Sequence, residues 1–328
     1  MKKLFFLLTI INATLAFCQQ EASVWYFGSF AGLKFENNGT VTPLTDGLLT
    51  TDEGCSSIAD SSGNLLFYTD GRSVWDRNHV KMPNGDYVAG TELFGDTSST
   101  QSAIIVPKPG STTIYYIFTV DEPHHTNAEY YPNQFTSVYP NQADDGSVPS
   151  TDDGFNNGFN FSIVDISVIG SNGSIGDVVS RNNHLITYNT NPTGEEIKFK
   201  CSEKVTAIKN ELSNEYWVIT HFVNKFYAFK VSASGVQTTP IISTIGPQIV
   251  TSGYRRNAQG YLKASPNGER LAIAHAQNIT QSGVSSQNTG SVYLYNFDKT
   301  TGQVSNEVSL IDAVLPYGLE FSPDSNLL

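Results

Sequence analysis

Apolar and polar positions alternate along this chain in short runs, and Gly, Asn, Ser or Pro punctuates them every few residues. Period-two alternation with turn punctuation predicts β-hairpins rather than helices. One hairpin type reads SIADSSGNLLFYTD at 57–70, AIIVPKPGSTTIYYIFTVD at 103–121, VTAIKNELSNEYWVITH at 205–221 and LKASPNGERLAIAHA at 262–276, with LEFSPDSNLL at 319–328 as a fifth copy. A second type alternates with it, at 32–44, 164–179, 226–243 and 292–310, and residues 73–85 fill the same slot less regularly. Two hairpins in series make a four-stranded sheet, and a repeat of roughly 40–50 residues is the spacing of propeller blades. The predicted fold is all-β: a β-propeller of four-stranded blades over residues 24–328.

The hairpin at 32–44 has no first-type hairpin before it. It is therefore predicted to supply the outer strands of a blade whose inner strands come from the last copy. Two arrangements satisfy this: a five-bladed ring closed by these two pieces, or a longer ring of which the chain carries part. The apolar run that stops at Leu328, before it can cross a blade, favours the second.

Ahead of the repeats, Lys2 and Lys3 precede an apolar run from Leu4 to Ala16, the layout of a signal peptide over 1–18 with cleavage after Cys18. That run is too short to span a bilayer. An exported, cell-surface or extracellular protein is expected, with lipidation of Cys18 the lesser alternative, because Phe17 replaces the small residue a lipoprotein signal wants. Charged residues are 15% of the chain and the net charge is -12, with no basic cluster beyond Arg255 and Arg256. Phosphate backbones need a positive field, so nucleic acid is not an expected partner. Cys55 and Cys201 precede the first strands of two non-adjacent repeats, which argues against a bridge between them.

The motifs EGCSSIADSSGNLLFYTDGRSVWDRNHVKMPNG, SSTQSAIIVPKPG, EKVTAIKNELSNEYWVITH and GYLKASPNGERLAIAHA resemble the N-terminal propeller region of large Bacteroidetes surface proteins. These are the gliding-motility-associated or type B sorting-domain proteins exported by the type IX secretion system. The resemblance implies a surface location, further blades and a sorting module beyond this sequence. It implies no defined ligand or activity. One segment departs from the pattern, an insertion at 122–160 that joins two strands of one blade and is too long for a simple connection.

The insertion carries Tyr130, Tyr131, Phe135, Tyr139, Phe155 and Phe159 among Asn and Gln, a composition suited to stacking on sugar rings or protein loops. The same aromatics would also serve to pack the loop onto the propeller. Asp144, Asp145, Asp152 and Asp153, each pair beside a Gly, are the candidate calcium ligands, and Asx turns explain them equally. His124 and His125, adjacent on an extended segment, point to opposite faces and read as a solvated loop. His221 and His275 read as satisfied core or edge histidines. Trp25, Trp75 and Trp217 read as core residues. A hydrolytic propeller of the calcium-dependent lactonase kind needs carboxylates converging on the axis. The predicted inner strands instead offer Ser56, Ser57, Ser102, Thr206, Lys263, Ser265 and Glu320. No G-x-S-x-G elbow or zinc spacing is present. The expectation is a non-catalytic recognition or adhesion module for a protein or glycan, with a propeller hydrolase and a structural spacer as alternatives.

Overall fold

The computed structural model describes residues 20–133, 153–251, 254–276 and 289–328. Alternating burial turns the chain into strands. The first sheet is β1 (Val24–Phe27), β2 (Ala31–Phe35) and β3 (Val41–Leu44), and the second β4 (Ser56–Ala59), β5 (Leu65–Thr69) and β6 (Val74–Asp76). The third is β7 (Ala103–Pro107), β8 (Ile114–Val120), β9 (Phe159–Ile169) and β10 (Ile175–Leu185), with a short α1 (His125–Glu129) between β8 and β9. After α2 (Glu196–Phe199), the fourth contains β11 (Val205–Asn210), β12 (Glu215–Phe222) and β13 (Lys225–Ser232), with β14 (Gly235–Val236) and β15 (Ile241–Thr244) both paired to β13. After α3 (Tyr254–Ala258), the fifth is β16 (Leu262–Ala264), β17 (Arg270–His275), β18 (Gly290–Phe297) and β19 (Val304–Val314). Every pairing within these sheets is antiparallel. This is a five-bladed β-propeller arrangement.

Apolar residues on facing sheets form the core between blades. Val24, Tyr26, Leu49, Ala59, Tyr68 and Trp75 join the first blade to the second, and Ile58, Phe67, Ile117 and Val164 help join the second to the third. Phe118, Phe159, Val218 and Phe229 bridge the third and fourth, while Trp217, Ile219, Leu271 and Tyr295 bridge the fourth and fifth.

Three expectations change. Strand β1, which the repeat pattern omitted, gives the first blade a third strand. Trp25 on it is not core: its side chain faces outward, 48% exposed, against Phe35. The last copy, 319–328, forms its turn, with Ser322 N–H donating to Leu327 O at 2.9 Å, but no strand. Cys55 and Cys201, whose repeat positions argue against a bridge, are free thiols.

Candidate functional site

The segments leading into the inner strands converge on the propeller axis and are tied to one another by their backbones. Glu53 N–H donates to Thr97 O at 3.0 Å, Gly54 N–H to Ser99 O at 3.1 Å, Gln101 N–H to Glu203 O at 3.1 Å and Tyr261 N–H to Tyr317 O at 2.9 Å. The approach is close: a Cβ on Gly54 would lie 2.1 Å from the Ser102 nitrogen. Gln101 acts as a staple. Its Oε1 accepts from Leu262 N–H at 2.8 Å and Val205 N–H at 3.3 Å, and its amide donates to Leu262 O at 3.2 Å.

Four carboxyl groups gather here from the segments that flank the inner strands of the second, third and fourth blades. Glu203, fully buried, accepts from Thr100 N–H at 2.9 Å and Thr100 Oγ1 at 2.6 Å. Glu122, also buried, has its Oε2 3.3 Å from His124 Nε2. Glu53 accepts a hydrogen bond from the Tyr317 hydroxyl. Burial raises the Glu53 pKa, and Glu122 and Asp52 raise it further against the hydrogen bond from Tyr317. Burial, and then Glu122, push Asp96 up to about 6, while Ser98 N–H and Arg72 pull it back. Glu203 is likewise raised by burial and by Glu122, and burial lowers its neighbour Lys204, whose ammonium donates to Gln259 O at 2.7 Å. Glu122 is therefore the charge that Glu53, Asp96 and Glu203 all feel.

A cavity of about 250 Å³ opens beside Glu53, lined by it and by Thr100, Gln101, Val205, Tyr261 and Lys263 among others. Lys263 lies 2.8 Å from Glu320 and 5.8 Å from the Tyr261 ring centroid. At ~30 Å³ per water, the volume corresponds to about eight waters, enough for a small polar molecule. A carboxyl held towards neutrality at a wet cavity is equipped for general acid–base work.

None of the predicted site residues that the structure describes lines this cavity. Phe159 is fully buried in the core between the third and fourth blades, so it presents no binding face. Tyr130 is exposed at the end of α1, Tyr131 and Phe155 are partly buried, and Phe135 and Tyr139 lie outside the described residues. Of the calcium candidates, Asp144, Asp145 and Asp152 also lie outside them. Asp153 forms the Asx turn: its oxygens accept from Phe155 N–H at 2.8 Å and Asn157 Nδ2 at 2.7 Å. Among the described residues no three His, Cys, Asp or Glu side chains are grouped to hold a metal. His124, expected on a solvated loop, is buried because the chain after β8 turns inward to the axis.

The carboxylates missed in the sequence, Glu53 and Glu203, sit just outside the strands, each before an inner strand. Their signal was positional: an acid in the connection at the repeat boundary, in DEGCSS and CSEKVT.

No family model matches the chain, and no curated protein matches it. Solved structures do. A 6-phosphogluconolactonase candidate from Bacteroides fragilis is 12% identical, with 92% of this chain and 84% of that one covered and a TM-score of 0.38. The periplasmic gluconolactonase of Pseudomonas aeruginosa is 9% identical, with 88% and 64% covered and a TM-score of 0.38. A protein of Lactobacillus plantarum is 12% identical, with 85% and 61% covered and a TM-score of 0.35. The chain spans less than two thirds of the latter two. At these identities the likeness extends to the fold alone. Two of the three are described as lactonases and none as an adhesion module, against the expectation of a non-catalytic recognition or adhesion module.

Proposed function

We propose that the chain is a hydrolase acting on a small, uncharged lactone in the axial cavity. The observation that supports it is Glu53, a carboxyl with a raised pKa, bonded to Tyr317 and facing a cavity of about 250 Å³. In this reading Glu53 removes a proton from water as its oxygen attacks the lactone carbonyl. The ring C–O bond then breaks, and the leaving oxygen takes the proton back from Glu53, giving a hydroxy acid. Tyr317 orients the Glu53 carboxylate, and the Lys263 ammonium offsets the charge developing on the carbonyl oxygen. The carboxylates of Glu53 and Glu122 give the axis a negative field that repels a phosphorylated lactone and admits a neutral one.

Hydrolysis followed by acid release, with gluconolactone and its phosphorylated counterpart as probes, tests this. The neutral lactone should be opened well above its spontaneous rate. Glu53→Gln should lower kcat/KM by about 10²–10³, and kcat/KM should rise with pH through a midpoint above the ordinary carboxylate range. A wild-type rate no faster than the spontaneous one overturns the reading.

A further inference from the structure

Away from that cavity, two histidines meet where the fourth and fifth blades join. His221 near the end of β12 and His275 at the end of β17 are 2% and 1% exposed, with ring centroids 5.2 Å apart. Among the described residues, His221 Nε2 and both ring nitrogens of His275 have no hydrogen-bond partner. Among the described residues, the groups facing them offer no counter-charge. From β12 and β17 each sees the other imidazole, and the segment before β11 supplies the Lys204 ammonium, which disfavours a second cation beside it. From β13 His221 meets the edge of Phe226 at 4.8 Å, and from β18 His275 meets Tyr293 at 6.2 Å. Glu203 acts on Lys204 and not on either imidazole.

We propose that His221 and His275 form an acid-opened latch between the fourth and fifth blades: two buried imidazoles that the closed junction holds only uncharged. The direction follows from linkage. Burial, with Lys204 adding to it, lowers His221 to about 3, and burial, His221 and Lys204 lower His275 well below its ordinary value. An opened junction frees both to bind protons at about 6.5. The contribution to stability is complete above that pH and is lost as pH falls towards the folded values. Two protons taken up on opening multiply the opening constant by about a hundred for each pH unit.

Trp217 reports on this junction. It is buried in the core shared by the two blades, and its Nε1 donates to Lys299 O of the fifth blade at 2.8 Å. Urea titrations of the full chain followed by Trp fluorescence, from pH 7.5 to 4.5, measure the opening constant. His275→Phe should reduce its pH dependence by about one proton, or tenfold per unit, and His221→Phe with it by two. An unchanged slope in both variants overturns the latch. If either variant fails to fold, the imidazole C–H resonances of the wild type decide. Constancy down to pH 4.5 supports the latch, and titration near 6.5 in the folded protein overturns it.

Discussion

Gly71 shows how tightly single residues are fixed at the axis. It sits in the turn after β5 at φ +88°, and a Cβ there would lie 1.9 Å from Ser102 Oγ, whose hydrogen bond to Asp70 O at 2.8 Å ties the second blade to the third. Gly71→Ala must either distort the turn or break that bond. A loss of about 2 kcal/mol or more is expected by urea unfolding. Asp96 gives the opposite sign. Its folded pKa is raised to about 6, so its contribution to stability is present below the ordinary carboxylate range and is lost as pH rises through 6. Asp96→Asn keeps the acceptor for Ser98 N–H and removes the charge. The melting temperature should rise by about 2–4 °C at pH 8 and stay unchanged at pH 4.

At the scale of elements, the hairpins were legible because alternation and turn chemistry act locally. The repeat at 205–221 folds as β11 and β12 in a continuous register from Val205↔Thr220 to Asn210↔Glu215, around the turn its polar residues predict. Strand β1 escaped notice because VWYF has a mate only in the following hairpin, whose own two-strand pattern was already complete. Inner strands are short, β16 having three residues, and their hold on the ring depends on bonds between blades. Gln101→Ala would strand the N–H groups of Leu262 and Val205 beside the cavity. The cost should be about 2–4 kcal/mol, with amide exchange faster in β11 and β16 than in β8.

For the whole molecule, the four core clusters each lie between consecutive blades, and among the described residues none joins the fifth blade to the first. A polar contact does cross there, from the Tyr317 hydroxyl after β19 to Glu53 in the connection between β3 and β4. The first and fifth blades therefore have an apolar neighbour on one side, and the three between them on both. Native-state hydrogen exchange should find β2 and β18 less protected than β8 and β12, because opening an end blade exposes one apolar face and not two. Equal protection in all five blades would contradict this account of the ring.

The sequence alone determined the all-β class, the two alternating hairpins and most strand positions, since these follow from side-chain periodicity and turn residues within a dozen positions of one another. It could not show that Glu53, Asp96, Glu122 and Glu203 share a field, or that His221 and His275 touch. Those groups stand in connections or at strand ends, where alternation has stopped and no local rule says which way a side chain points. Ring closure alone brings such positions from different blades together at the axis, and burial there sets their charge states.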